Sequence, residues 1–221
     1  MRVVIYTLGC KLNQCESEAI AAAFKEEGFT IVAPTEKADL YIINTCTVTS
    51  KAEQKARRMI RKFAQEGNEP TLLITGCYAQ LDAEPLQHIA QRVVVVSLDD
   101  KPSLLSLPAY LAASHIGQID LYDALKEFAK SEKGALFSPF DYEATSFTYH
   151  SRAFLKIQDG CDNSCGYCRV SIARGKARSL SSQEVVRRTL ELEEQGFHEV
   201  VLTGVNISAY QDGEVDLSQL L

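Results

Sequence analysis

The sequence lacks the features that mark disordered, fibrous and membrane-spanning chains. Its 221 residues include only 12 glycines and 6 prolines, which excludes collagenous and low-complexity classes. No run approaches the roughly 18 consecutive apolar residues of a membrane span, and the opening residues MRVVIYTLGC lack the apolar stretch of a signal peptide. We therefore expect a globular, cytoplasmic protein with no membrane association.

The sequence also lacks an excess of positive charge. A net charge of −6 argues against a protein that coats nucleic acid without regard to its sequence. Basic residues nevertheless cluster in the segments 51–62 and 152–178, and such clusters can contact a few phosphates. Most of the acidity lies in the segment 97–150, which carries eight acidic and four basic residues.

Short apolar runs alternate with amphipathic ones over the first hundred residues. The apolar runs are continuous and rich in β-branched residues, which is typical of strands buried on both faces of a parallel sheet. They occupy residues 3–6, 40–43, 72–74 and 93–96. Helical periodicity between them predicts helices over 17–27 and 51–64. The pattern predicts an α/β fold, with an open parallel α/β sheet domain over residues 1–97.

The remaining sequence divides into two parts. Residues 98–150 are acidic and predict two helices, near 103–113 and 119–131, which we interpret as a helical linker. Strand–loop–helix order then returns, with a strand at 153–157, a capping box at 181–184 that opens a helix ending near Gln195, and a strand at 198–202. We interpret residues 151–221 as the first units of a partial (β/α) barrel.

Three of the seven cysteines lie in one loop, at Cys161, Cys165 and Cys168. In a reducing compartment such thiols bind metal or do chemistry more often than they pair. Thiolates at i, i+4 and i+7 can wrap an iron–sulfur cube and leave one iron open to a small molecule. Zinc would need a fourth ligand, for which His150 and His198 are the nearest candidates. A redox pair of Cys165 and Cys168 would leave Cys161 without a role.

Three further cysteines, Cys10, Cys46 and Cys77, each follow a predicted strand. They are separated by 36 and 31 residues, close to the length of one strand–helix–strand unit. Because parallel strands all point the same way, the three loops should meet at one edge of the sheet. Three thiols there predict a second cluster with an open iron; the alternative is that they are small buried hydrophobic residues. Cys15, on the first helix, we interpret as a structural thiol.

The cysteine loop, with Tyr167 before its last cysteine, resembles the signature of radical S-adenosylmethionine (SAM) enzymes. The resemblance implies that SAM chelates the open iron of a 4Fe–4S cluster and is cleaved there to an adenosyl radical. It also implies that Tyr167, Gly204 and Asn206 lie near SAM. A plain turn is an equally good explanation of Gly204 and Asn206.

Longer motifs narrow the resemblance to the methylthiotransferases. They are TLGCKLN at 7–13, NTCTVT at 44–49, GCYAQ at 76–80, RAFLKIQDGC at 152–161 and ARG at 173–175. The residues around Cys10 are similar to the motif of the branch that modifies threonylcarbamoyladenosine in tRNA. The branches that act on isopentenyladenosine and on a ribosomal-protein aspartate are the enzymatic alternatives. A non-catalytic iron–sulfur electron carrier or binding module and a zinc-stabilised structural protein are the alternatives of other classes.

The resemblance implies a methylthio group added to carbon 2 of an adenine beside the anticodon. One 4Fe–4S cluster would generate the radical, the second would hold sulfur, and an electron donor such as a flavodoxin or ferredoxin would serve them. The implied partner is the tRNA anticodon stem-loop. Its phosphates could contact Arg57, Arg58, Arg61, Arg174 and Arg178, for which a solvated surface is the alternative. Family members continue beyond these first barrel strands, so we expect this chain to be a fragment that is inactive alone.

Overall fold

A computed structural model describes residues 1–67, 69–114, 119–134, 137–143 and 152–221. Its elements are β1 (Arg2–Thr7), α1 (Lys11–Glu26), β2 (Thr30–Ile31), β3 (Leu40–Thr45), α2 (Ser50–Phe63), β4 (Thr71–Gly76), α3 (Cys77–Leu81), α4 (Ala83–Gln87), β5 (Val93–Val95), a 3-10 helix (Lys101–Leu105), α5 (Leu107–Ala113), α6 (Leu121–Ser131), β6 (Ala153–Lys156), β7 (Gln158–Asp159), α7 (Val170–Arg174), β8 (Arg178–Ser179), α8 (Ser182–Glu194), β9 (Val200–Thr203), a 3-10 helix (Ile207–Ala209), β10 (Gln211–Asp212), β11 (Val215–Asp216) and α9 (Leu217–Leu220). None of the helices in these ranges is long and apolar enough to cross a membrane.

The first five strands form a parallel sheet in the order β2-β1-β3-β4-β5. Every residue of β3 and β4 is buried, which is why these strands appear in the sequence as continuous apolar runs. The predicted parallel α/β fold is therefore confirmed. Strand β2 was not predicted, because two residues at a sheet edge are too short to produce a periodic pattern.

Helices cover both faces of this sheet. Ile20 and Phe24 of α1 are buried against one face, together with side chains from β1 and β3. The stripe of Ala56, Ile60 and Phe63 on α2 is buried against the other face. The result is a three-layer domain whose core lies on both sides of the sheet.

The segment after β5 belongs to one of these layers. The helices predicted near 103–113 and 119–131 are present, and their apolar side chains Leu104, Leu107, Leu125 and Phe128 join the core on the α1 face. These helices are thus packed onto the domain that they follow in the sequence, whereas Phe140, further along the segment, joins the core of the C-terminal part.

The C-terminal part begins a second α/β unit. Strands β6 and β9 pair in parallel and α8 connects them, over a core that includes Leu155, Ile157 and Tyr210. Ser181 caps α8 by accepting a hydrogen bond from the Glu184 amide at 3.3 Å. The predicted capping box is only half formed, because the Glu184 carboxylate instead accepts hydrogen bonds from arginines one turn further along α8.

Candidate metal centres and their surroundings

Three cysteines stand beyond the carboxyl ends of three neighbouring strands. Strands β1, β3 and β4 are adjacent, and Thr45 of β3 pairs with Gly76 of β4. Cys46 and Cys77 are the residues that directly follow this last pair, one after each strand. Cys10 lies after β1, at the residue that precedes α1. Strand order and register thus bring the three predicted ligands to one edge of the sheet.

The loop after β1 packs directly on Cys46. A methyl group added at Gly9 would lie 2.6 Å from Cβ and 2.8 Å from Sγ of Cys46. Burial raises the pKa of the Cys46 thiol, and the neighbouring thiols of Cys77 and Cys10 raise it further. None of the three is in a disulfide. Cys10 and Cys77, which together with Cys46 we call the N-terminal thiols, are thus close enough to Cys46 to affect its ionisation.

The other three predicted ligands lie in the loop between β7 and α7, which we call the cysteine loop (residues 161–169). The Cys161 amide donates to the Gly175 carbonyl at 3.0 Å, and the Cys168 amide donates to the Cys165 carbonyl at 3.0 Å. Cys165 is exposed, and the other two cysteines are half-buried. Tyr167, predicted to lie near SAM, has 91% of its surface exposed. Backbone hydrogen bonds thus hold the loop while its thiols stay accessible.

Contacts between helices bring the cysteine loop to the N-terminal thiols. Helix α7, directly after the loop, packs against α3, whose first residue is Cys77. Arg169, between Cys168 and α7, forms ion pairs with Glu53 of α2 and, at 2.9 Å, with Asp82. The two sets of cysteines come from different halves of the sequence and are neighbours in the fold.

The thiols do not form a ready site for a single metal ion. Across the described ranges, no three His, Cys, Asp or Glu side chains form a group that could hold one ion. Of the two candidate zinc ligands, His150 lies outside the described residues. His198 precedes β9, whereas the cysteine loop follows the parallel neighbour β6, so the two lie at opposite ends of these strands. The three cysteines of each set are free thiols.

A buried network of charged side chains joins the two halves of the chain. Glu16 of α1 accepts hydrogen bonds from Lys101, from Lys156 of β6 at 2.8 Å and from Arg174 of α7 at 3.0 Å. Asp159 pairs with Lys156 at 2.6 Å and with Arg174 at 3.1 Å. Burial by itself would raise the pKa of the Glu16 carboxyl, but the three cations hold it well below its ordinary value. Sequence analysis missed this network, because polar residues on a helix normally indicate a solvent-facing side.

Arg174 links this network to the N-terminal thiols. Its Nη2 donates to Asn13 Oδ1 at 2.8 Å, and Asn13 Nδ2 donates to the carbonyls of Leu8 at 2.8 Å and Thr45 at 3.0 Å. Those carbonyls lie just before the first two N-terminal thiols in the sequence. The prediction that Arg174 contacts RNA is not supported here, because its guanidinium is buried among carboxylates, with only 3% of the residue exposed.

Comparison with known proteins covers both halves of the chain. Residues 2–97 match the model of "Uncharacterized protein family UPF0004", and residues 155–221 match the "Radical SAM superfamily". The threonylcarbamoyladenosine tRNA methylthiotransferase MtaB of Treponema pallidum is 37% identical over 270 residues, covering 99% of this chain and 56% of the relative. The protein of the same name from Bacillus subtilis is 35% identical over 218 residues, covering 97% and 46%. Over both of its halves the chain is thus similar to radical SAM methylthiotransferases, and the resemblance predicted from the motifs is confirmed.

The name of another relative gives a different substrate. The tRNA-2-methylthio-N(6)-dimethylallyladenosine synthase of Amoebophilus asiaticus is 32% identical over 236 residues, covering 98% of this chain and 46% of the relative. The chain spans about half the length of the curated relatives that it matches. Membership of the radical SAM superfamily implies SAM and a 4Fe–4S cluster as cofactors, and the cysteine loop offers three thiols that fit such a cluster.

The two other residues that are predicted to contact SAM pack against Gln158 of β7. Gln158 Oε1 accepts a hydrogen bond from the Asn206 amide at 2.8 Å. A methyl group added at Gly204 would lie 2.8 Å from the same oxygen, so only glycine fits there. Both residues follow β9 at the end of the strands from which the cysteine loop also leaves. Close packing by itself explains the glycine, and contact with SAM stays a prediction.

Proposed function

We propose that this chain carries the cluster-binding part of an enzyme that adds a methylthio group to carbon 2 of threonylcarbamoyladenosine beside the tRNA anticodon. The observation that carries this proposal is the presence of two sets of three free thiols in neighbouring parts of the fold. Cys77 of the first set begins α3, the second set lies in the loop just before α7, and α3 packs against α7. The substrate is favoured by the printed names of the relatives from Treponema pallidum and Bacillus subtilis.

Each set of thiols would hold its own 4Fe–4S cluster. Cys161, Cys165 and Cys168 would ligate the cluster that binds SAM, and the N-terminal thiols would ligate a second one. When bound, such clusters supply single electrons and an open iron; a flavodoxin or ferredoxin would be the electron donor. The part of the polypeptide is to hold the two sets at a defined separation and to limit the access of water. Cys46 and Cys77, each 4% exposed, are well protected from solvent.

Replacing one cysteine of each set tests the assignment of ligands. After anaerobic reconstitution, we expect about eight irons per wild-type chain and about four in Cys46→Ala and in Cys168→Ala, because each variant loses one cluster. The control is Cys15→Ala, which should keep about eight irons. The Cys15 thiol donates to the Phe154 carbonyl at 3.3 Å, and burial raises its pKa to about 12. A Cys46→Ala chain with the full iron content, or a wild-type chain that takes up zinc instead, would contradict the proposal.

Nucleoside analysis separates the candidate substrates. A strain that lacks the gene would be complemented with the whole gene, and its tRNA nucleosides would be measured by mass spectrometry. Restoration of the methylthio group on threonylcarbamoyladenosine supports the proposal. Restoration on dimethylallyladenosine would favour the second candidate, which the relative from Amoebophilus asiaticus suggests. If neither returned, a non-catalytic iron–sulfur carrier would be the better explanation.

The outer surface of α2 is the proposed contact for the anticodon stem. Arg58 and Arg61 are exposed there, as is Arg178 after the cysteine loop. Arg57 differs, because its guanidinium donates to the Tyr78 hydroxyl at 2.5 Å and lies 5.7 Å from the centre of that ring. Of the predicted arginines, Arg58, Arg61 and Arg178 therefore have the exposure that phosphate binding needs.

Reversing charge on α2 tests this surface. We expect the double variant Arg58→Glu and Arg61→Glu to bind tRNA about tenfold more weakly at low salt, with a slope of log affinity against log salt smaller by about 2. The matched control is Lys126→Glu with Lys130→Glu, which makes the same change of charge on the exposed side of α6. Equal tRNA affinity of the two double variants in a salt titration would rule out α2 as the specific contact.

A further inference from the structure

One carboxylate oxygen bridges the two chain segments that leave the two sets of cysteines. Thr47 Oγ1 donates to Glu53 Oε1 at 2.6 Å, and Arg169 Nη1 donates to the same oxygen. Thr47 directly follows Cys46, and Arg169 directly follows Cys168. A single side chain in the first turn of α2 thus connects two residues, each of which directly follows a predicted cluster ligand.

The orientation of this bridge is restricted on both sides. Arg169 uses its second terminal nitrogen to pair with Asp82 at 2.9 Å, just beyond α3. Because the guanidinium is planar and its donors are in fixed directions, bonds to two carboxylates define its position. On the other side, Thr47 is 1% exposed and cannot turn away without disturbing the packing around it. The side chain of Glu53 is itself only 15% exposed.

We propose that Glu53 is a positioning residue that holds the cysteine loop in a fixed place relative to the N-terminal thiols. The consequence of this role for catalysis rests on the proposed function, in which both sets of cysteines carry a cluster. Glu53 would then set the separation between the two clusters. The side chain of Arg169 is 41% exposed, and ion pairs of such exposure contribute little to overall stability. The effect of Glu53 is therefore expected in the position of the loop more than in the stability of the chain.

Hydrogen exchange of the iron-free chain tests the bridge without any cluster. In Glu53→Ala we expect the amides of residues 161–169 to exchange about fivefold faster than in the wild type. Local opening of the loop would no longer require this bridge to be broken, so it would cost less free energy. Glu53→Gln should stay within about twofold of the wild type, since its amide oxygen can accept both hydrogen bonds. The matched control is Glu199→Ala, which removes a 3.0 Å ion pair with Arg152 that touches neither set of cysteines. Unchanged exchange in Glu53→Ala would overturn the proposal.

Electron paramagnetic resonance of the iron-loaded chain tests the consequence. In the reduced wild type, we expect magnetic coupling between two neighbouring clusters. Glu53→Ala should alter this coupling at unchanged iron content. Glu53→Gln should show the same coupling as the wild type. An unaltered coupling in Glu53→Ala would disprove the positioning role. If the wild type takes up only one cluster, the proposed function fails, and the exchange experiment still decides whether the bridge exists.

Discussion

Glu16→Gln is expected to lower the free energy of unfolding by about 3–5 kcal/mol, a large part of the roughly 5–15 kcal/mol that stabilises a typical domain. The Glu16 side chain is 1% exposed, and three cations donate to it. With a neutral amide whose oxygen faces Lys156 and Arg174, Lys101 would lose its ion pair. It would keep the side-chain oxygen of Asn44 at 2.9 Å and the ring of Tyr142, whose centre is 5.9 Å from the ammonium nitrogen. A buried ammonium group without an anionic partner is costly, because the lost hydration is not compensated.

Urea unfolding of the iron-free chain, followed by circular dichroism, measures this effect. The control is Glu27→Gln at the exposed residue that directly follows the same helix, which should change the free energy of unfolding by less than about 0.5 kcal/mol. The double variant Glu16→Gln with Lys101→Met should recover part of the loss, because it removes the unpaired ammonium group. A loss below about 1 kcal/mol in Glu16→Gln would mean that the network does not stabilise the contact between the two halves.

Gly160→Ala is expected to prevent the cysteine loop from closing. Gly160 has a φ of +71°, and an added methyl group would lie 1.9 Å from the carbonyl oxygen of Lys176. This neighbour is a backbone atom, so it can move only if the hydrogen bond from Cys161 to Gly175 is disturbed. We expect a cost above about 3 kcal/mol from backbone strain and this clash together. The reconstituted variant should lose about four irons, those of the cluster that the loop would hold.

Gly175 offers a matched control for this prediction. Its φ of +69° is almost the same, but an added methyl group meets nothing within 4 Å. With a ψ of −154°, Gly175 has a backbone conformation that almost only glycine adopts, so Gly175→Ala should cost this backbone strain alone, about 1–3 kcal/mol, and keep both clusters. The difference between the two variants, measured by urea unfolding and iron analysis, isolates the clash. Equal behaviour of Gly160→Ala and Gly175→Ala would show that the close approach to Lys176 is unimportant.

Much of the candidate site could be predicted from the sequence, because the necessary signals are local. Apolar runs predicted the parallel strands, and the common direction of those strands predicted that Cys10, Cys46 and Cys77 follow them at one edge. The spacing of the cysteine loop required no knowledge of the fold. The sequence could not separate the arginines that are free to contact RNA from those that are buried. Arg58 and Arg174 both stand in basic segments, yet one is exposed and the other is buried.

The sequence by itself determined the α/β class, the strand that each N-terminal cysteine follows and the resemblance to radical SAM enzymes. These depend on short-range patterns and on the common direction of parallel strands. Only the tertiary structure decided that Glu16 and Arg174 meet, across 158 residues of sequence, and that Glu53 joins Thr47 to Arg169. The physical reason is that ion pairs between distant segments leave no periodic pattern. A charged side chain has the same appearance in a sequence whether water or an opposite charge surrounds it.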